Sequence, residues 1–268
     1  MADDQELRRV RLATGVAIPY VEQGDPGPVP IVLLHAWAES SACFDRMRVK
    51  LPSSMHVFAF DQRGHGGADK PDTGYALDDC ANDAIAFMDA VGIRSAILVG
   101  SSSGGYVAQQ VALRAPDRVT GLVLVGAPRS LQGRAGFADE VDALSDPVDR
   151  QWVRDSLTWF PRYHDIPDWY IEDRVQDGLR VPASVWKAAL AGLTDAPPPS
   201  ESGTITAPTL IVWGELDELL PHADMTALAA AIPGSRLVVY ENTGHLIVWE
   251  QPERVARDVT DLAMGLPS

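Results

Sequence analysis

A series of short, wholly apolar runs constrains this chain more than any other feature. They are Ile31-Val32-Leu33-Leu34, Val57-Phe58-Ala59-Phe60, Ala96-Ile97-Leu98-Val99, Leu122-Val123-Leu124-Val125 and Leu210-Ile211-Val212-Trp213. Unbroken apolar runs of this length suit strands buried on both faces. The segments between them include stretches with apolar residues at helical spacing. One runs from Asp78 or Asp79 to Ala90, another from Gly105 to the stop at Pro116, and Ser41 is placed to cap a third reaching about Leu51. Strands alternating with helices build βαβ units and a parallel sheet, and right-handed crossovers put helices on both faces. Arg236 to Tyr240 adds a further strand. Leu7 to Ala13 and Val16 to Gln23, separated by Thr14-Gly15, read as an opening hairpin closed off by Pro26-Gly27-Pro28. The fold class is therefore α/β, a mostly parallel, doubly wound sheet.

The pattern breaks once. From Pro128 to Gly203 the strand runs vanish, and four of the seven tryptophans (Trp152, Trp159, Trp169 and Trp186) fall there with Phe137, Phe160, Tyr163 and Tyr170. Asp149 to Trp159 and Ala183 to Leu193 read as short helices, and Ala196-Pro197-Pro198-Pro199-Ser200 reads as a stiff linker. We assign residues 1–127 and 204–268 to the core domain and 128–203 to an inserted helical cap (lid).

Bulk composition excludes several function classes. With 22 Lys and Arg against 37 Asp and Glu, the formal charge is −15, which argues against nucleic-acid and anionic-membrane partners. The first residues, Met1 to Glu6, carry neither a basic nor an apolar signal-peptide region, and no apolar run approaches the ~20 residues that span a bilayer. Cys43 and Cys80 lack metal-type spacing and read as reduced thiols of a cytoplasmic protein. No metal or cofactor is implied.

The chemistry centres on Gly100-Ser101-Ser102-Ser103-Gly104, placed between a buried strand and a helix. This G-x-S-x-G context describes a turn that lifts one hydroxyl above the sheet, and only Ser102 fits the frame with glycine on both sides. A serine hydroxyl needs a base within reach and a carboxylate to hold that base's tautomer. Loops leaving the C-terminal ends of parallel strands are where such groups gather. Asp217 lies four residues beyond Trp213, and His245 lies five beyond Tyr240. Glu215 and Glu218 flank Asp217 and remain rival carboxylates. His35, His56, His65, His164 and His222 are the other histidines, and none directly follows a late strand. The oxyanion needs donors as well. The Ser103 amide at the helix start is one, and the Trp37 amide, in the loop after Ile31 to Leu34, is the best placed second. Only the Ser103 amide enters this reading, so Ser101→Ala and Ser103→Ala are both expected to be tolerated. The Trp37 ring is also placed to floor an acyl pocket.

These motifs, with Asp61-Gln62-Arg63-Gly64-His65-Gly66, Gly214-Glu215-Leu216-Asp217 and Gly244-His245, resemble the α/β-hydrolase superfamily over nearly all of the chain outside the cap. The order Ser, Asp, His is that of the fold. The resemblance implies that His35 orders the oxyanion loop and that the Asp61 to Gly67 loop is mainly structural. Ala36 departs from the family's usual glycine, and Ser101 departs from its usual residue before the nucleophile. Relatives that use an elbow aspartate, haloalkane dehalogenases and epoxide hydrolases, are excluded by Ser102.

The sequence thus predicts a cofactor-free serine hydrolase of a mostly apolar carboxylic ester or lactone, with catalytic Ser102, Asp217 and His245. Trp37, Trp159, Tyr163, His164 and Trp186 are the candidate substrate-binding residues. Trp186 is the first choice among the cap residues, its truncation expected to shift specificity with little loss of melting temperature. Alternatives on the same triad are a C–C bond hydrolase, a perhydrolase and a slow-turnover ligand sensor. The partner is a small molecule, and the chain is expected to be a monomer or homodimer.

Overall fold

The computed structural model describes residues 7–27, 29–133 and 135–266. Met1 to Glu6, Pro28 of the chain break, and the last two residues of the core assignment lie outside the described residues. Among the described residues eight strands form one sheet: β1 (Arg8–Arg11), β2 (Ala17–Gln23), β3 (Ile31–Leu34), β4 (Val57–Phe60), β5 (Ala96–Ser101), β6 (Val119–Val125), β7 (Thr209–Gly214) and β8 (Arg236–Tyr240). Their order is β1-β2-β4-β3-β5-β6-β7-β8. The hairpin β1/β2 and the pair β2/β4 are antiparallel, and every other pair is parallel.

The unbroken apolar runs are explained by their two-sided burial. In β3, Val32 and Leu34 enter one hydrophobic cluster while Ile31 and Leu33 enter the other, and Phe58/Phe60 against Val57/Ala59 of β4 divide the same way. The first cluster packs against helices Leu77–Ala90, Ser103–Arg114 and His222–Ala231 through residues such as Phe87, Val111 and Leu228. The second is covered by Phe44 and Met47 and by Val255, Ala256 and Val259 of the helix Pro252–Gly265. Both faces are dry.

Strand order also locates the site. The chain passes from β3 to β4 on one side, then crosses back over β3 to β5 and continues the other way. The loops leaving β3 and β5 therefore diverge at the topological switch point, where open α/β sheets bind ligands. His35 to Ser40 leave one of these strands and Ser102 leaves the other.

Local boundaries differ from the sequence reading in three places. Ser40, not Ser41, supplies the cap, its hydroxyl accepting from the Ala42 N–H at 3.3 Å. That segment is a 3₁₀ turn, Ser41–Phe44, followed by a single helical turn ending at Arg48, and Tyr170 donates to the Cys43 carbonyl within it at 2.6 Å. The expected linker at Ala196 to Ser200 instead enters a helical turn, Pro199–Ser202, with Pro199 and Ser200 buried. Proline is well suited to that first helical position.

Between β6 and β7 the described residues form no strand. Helices Ala138–Asp142, Arg150–Ser156, Asp168–Leu179 and Ala183–Thr194 build a third apolar cluster around Val141, Val153, Val175, Val185 and Trp186. Tyr75 belongs to this cluster and Trp37 packs against it. The helical segment is thus seated on the loops that leave the sheet.

Candidate active site

Ser102 occupies backbone space that an L-residue avoids, at φ 48° and ψ −120°. Such strain costs about 1–3 kcal/mol and persists only when its surroundings enforce it. The enforcement comes from crowding. A Cβ on Gly100 would lie 2.4 Å from the Gly105 Cα, and one on Gly104 would lie 2.1 Å from the Leu34 carbonyl oxygen. Only glycine lets strand and helix approach so closely on either side of Ser102. The Ser102 N–H donates to the Val125 carbonyl at 2.8 Å, while its own carbonyl accepts from Gly105 at 2.8 Å as the helix Ser103–Arg114 begins.

The structure brings together the three residues that the sequence places on separate loops. Ser102 Oγ lies 2.9 Å from His245 Nε2, and His245 Nδ1 lies 2.8 Å from Asp217 Oδ2. The other Asp217 oxygen accepts the N–H groups of Leu219 and Leu220 at 2.9 and 3.0 Å. Those two amides fix the carboxylate so that Oδ2 faces the imidazole. Held this way, Asp217 accepts a hydrogen bond from the Nδ1–H and leaves Nε2 as the acceptor for Ser102. The rivals are elsewhere: exposed Glu215 accepts from the Asn242 N–H, and exposed Glu218 accepts from the Tyr163 hydroxyl.

His35 is buried, with Nδ1 2.8 Å from the Ala36 carbonyl and Nε2 accepting from the Gln62 N–H at 2.9 Å. It ties the loop after β3 to the loop after β4. His65 is buried too, and burial together with nearby His35 pulls its pKa down to about 3. The Ser103 amide is one of the first helical N–H groups, which have no partner within the helix. The Trp37 N–H, expected as the second oxyanion donor, instead donates to Ser103 Oγ at 2.7 Å.

A cavity of about 110 Å³ opens over Ser102. Trp37, Phe137, Trp159, Phe160 and Trp186 line it. Phe137 stacks on Trp37 at 5.7 Å and on Trp159 at 4.5 Å, and the edge of Trp186 meets Trp37 at 4.7 Å. Phe160 covers His245 at 5.2 Å between ring centres. Of the candidate binding residues, Trp37, Trp159 and Trp186 therefore border the cavity.

Tyr163 and His164 do not, which corrects the sequence expectation. Their segment is irregular rather than helical, and the backbone amides of both donate to Glu250 Oε2 at 2.8 and 3.1 Å. Tyr163 is 42% exposed and lies against Gly244, while His164 Nε2 accepts from Gln251 at 2.9 Å.

Sequence reasoning missed Phe137 and Phe160 as pocket residues, and it missed two buried carboxylates. Glu250 also accepts the Gly244 N–H at 3.0 Å, anchoring the residue before His245. Glu39 accepts from Trp249 Nε1 at 2.7 Å and from the Ala36 N–H at 3.3 Å, bracing the loop that carries Trp37. Neither glutamate lies in a recognisable motif. Among the described residues there is no cluster of three or more His, Cys, Asp or Glu able to hold a metal, and no helix long and apolar enough to cross a membrane.

Comparison with known proteins agrees with this geometry. The profile of the alpha/beta hydrolase fold matches residues 29–252. A 2-(acetamidomethylene)succinate hydrolase of Mesorhizobium japonicum is 30% identical, over 97% of this chain and 96% of its own. A non-heme chloroperoxidase of Streptomyces lividans is 28% identical, over 93% and 97% respectively. Among solved structures, the enol-lactonase of Burkholderia xenovorans LB400 superposes with a TM-score of 0.82 at 20% identity, covering 96% of this chain and all of that one, a likeness of fold alone. The switch-point site, the strained elbow and the match over most of the chain have one reading: this chain belongs to the alpha/beta hydrolase fold family and is a hydrolase of that superfamily.

Proposed function

We propose that the protein is a serine hydrolase cleaving a carboxylic ester or lactone of a mostly apolar small molecule through an acyl-enzyme, without a cofactor. The observation that carries this reading is the continuous chain Ser102 Oγ, His245 Nε2, His245 Nδ1 and Asp217 Oδ2, with links of 2.9 and 2.8 Å. His245 takes the Ser102 proton as the hydroxyl attacks the carbonyl, and Asp217 steadies the imidazolium that results. His245 then protonates the leaving alcohol. In the second half-reaction it takes a proton from water as the water oxygen bonds to the acyl carbon, and gives that proton to Ser102 Oγ as the bond from the acyl carbon to Oγ breaks. The aromatic lining of the cavity supports an apolar acyl or alkyl group, and the helical segment between β6 and β7 serves as the cap that supplies it.

The test uses a panel of nitrophenyl esters and lactones with intact-protein mass measured during turnover. We expect steady hydrolysis and an acyl adduct on Ser102. Ser102→Ala should lower kcat by ~10⁴-fold or more without unfolding the protein. Adduct formation on Ser101, or full activity in Ser102→Ala, refutes the assignment. A burst followed by near-zero turnover identifies a ligand sensor instead.

A second reading, in which hydrogen peroxide replaces water as acyl acceptor, draws support from the 28% identity to a protein named a non-heme chloroperoxidase. Peracid release when peroxide is added to the ester assay separates the two.

A further inference from the structure

The proposed reaction asks for two backbone amides at the oxyanion, and one of them is already engaged. The Trp37 N–H points its single proton at Ser103 Oγ, 2.7 Å away. The Ser103 hydroxyl therefore sits at the mouth of the expected oxyanion hole. It has a proton of its own, and that proton meets no acceptor among the described residues. Ser103 is buried and borders two cavities. One lies over Ser102; the other, of about 30 Å³, is also bordered by Trp37 and by His65. The amide and the hydroxyl belong to one residue, and that residue borders the cavity over Ser102, which puts a substrate oxygen there within reach of both.

We propose that the Ser103 hydroxyl is the second oxyanion donor, taking the place expected for the Trp37 amide: it contacts the substrate oxygen directly and is itself polarised by that amide. The proposal rests on Ser102 being the nucleophile. In the acylation step, Ser102 Oγ forms a bond to the carbonyl carbon, its proton passes to His245 Nε2, and the π pair of the C=O bond moves onto oxygen. That oxygen accepts hydrogen bonds from the Ser103 N–H and the Ser103 O–H, while the Trp37 N–H continues to donate to Ser103 Oγ. When the intermediate collapses, the pair returns to the carbonyl. The bond to the leaving oxygen then breaks, and His245 gives that oxygen the proton. Ser103 keeps its own proton throughout. A donor already held by a neighbouring N–H costs little to orient when charge develops, which is the condition under which such groups accelerate acyl transfer most.

The opposite arrangement is equally concrete. If the hydroxyl rotates into the smaller cavity, where buried His65 Nε2 has no partner, the Trp37 amide is freed to bind the substrate oxygen itself. The hydroxyl would then occupy the hole only at rest.

The experiment compares the parent with Ser103→Ala and Ser103→Thr, all checked for unchanged melting. It measures kcat and KM on one nitrophenyl ester and the inhibition constant of a trifluoromethyl ketone, which forms a tetrahedral oxyanion adduct on an active serine. We expect Ser103→Ala to lower kcat by ~10²-fold with little change in KM, and to weaken ketone binding by a similar factor. Threonine, which keeps the hydroxyl, should restore both to within about tenfold of the parent. The proposal is overturned if Ser103→Ala stays within about threefold of the parent in both quantities, or exceeds it in either. A parent that neither turns over esters nor binds the ketone refutes the nucleophile assignment itself, which is a different result from a healthy parent indifferent to Ser103.

Discussion

Trp186 separates two roles that the sequence alone treats as alternatives. Its side chain is 3% exposed, meets Trp37 and Trp152 edge-on at 4.7 and 5.2 Å, and donates from Nε1 to the Gly178 carbonyl at 3.1 Å. It also borders the cavity over Ser102. A buried tryptophan removes about 200 Å² from water, which at 25 cal/mol per Å² contributes roughly 5 kcal/mol. Alanine forfeits most of that and removes one donor from the Gly178 carbonyl, which keeps the Val181 N–H at 3.2 Å, for a total loss of about 4 to 6 kcal/mol. In a domain of this size Tm should fall by roughly 10 to 20 °C. The room left beside Trp37 should raise kcat/KM for bulky aryl esters relative to the acetate. Trp186→Phe, which keeps a ring and loses the N–H, should cost about 1 to 2 kcal/mol and leave the ranking nearly unchanged. Scanning calorimetry with a two-ester competition measures both effects. A Trp186→Ala variant melting within about 4 °C of the parent refutes the packing argument. One that melts far lower yet ranks the esters as the parent does refutes the pocket role.

Two further outcomes follow from the site. Asp217→Asn should lower kcat by about 10⁴-fold by admitting the wrong imidazole tautomer, whereas Glu215→Gln and Glu218→Gln should stay near the parent, as steady-state kinetics would show; a reversed ranking moves the acid. His65 has its folded pKa lowered to about 3 from the ordinary 6.5, so the unfolded chain binds the extra proton first, and stability falls as pH drops through that window by about 1.4 kcal/mol per pH unit. His65→Gln should flatten the acid side of a stability–pH curve measured by urea unfolding, and an unchanged slope contradicts the assignment.

The architecture was legible because two-sided burial leaves its mark on composition: no polar residue interrupts β3, β4 or the apolar stretch of β5. The three residues now seen as a hydrogen-bonded chain were legible for a related reason. Each sits just past the end of a parallel strand, so position in the sequence encodes position in space. Tyr163 and His164 have no such tie. Between helices, which way a side chain faces depends on whichever group captures the local backbone, here Glu250, 86 and 87 residues away. Trp186 was placed in the pocket from its size, but size alone cannot distinguish a wall of the cavity from a strut of the helical segment between β6 and β7, and it is both.

Ser103 illustrates a different limit. Its amide is implied by the helix start, but the partner of its hydroxyl is set by how the loop after β3 folds back, and that loop is held by Glu39 and His35. Both anchors depend on long-range partners, Trp249 for Glu39 and Gln62 for His35. The substitution of Ala36 for the family's usual glycine falls inside that braced loop, between His35 and Trp37. A stiffer backbone there is compatible with a hole in which a fixed side-chain hydroxyl, rather than a movable main-chain amide, meets the substrate. Ala36→Gly in the Ser103→Ala background is therefore informative. If loop stiffness is what keeps the Trp37 amide from replacing the missing hydroxyl, the added glycine should recover part of the lost kcat, and no recovery places the constraint in Glu39 and His35 instead.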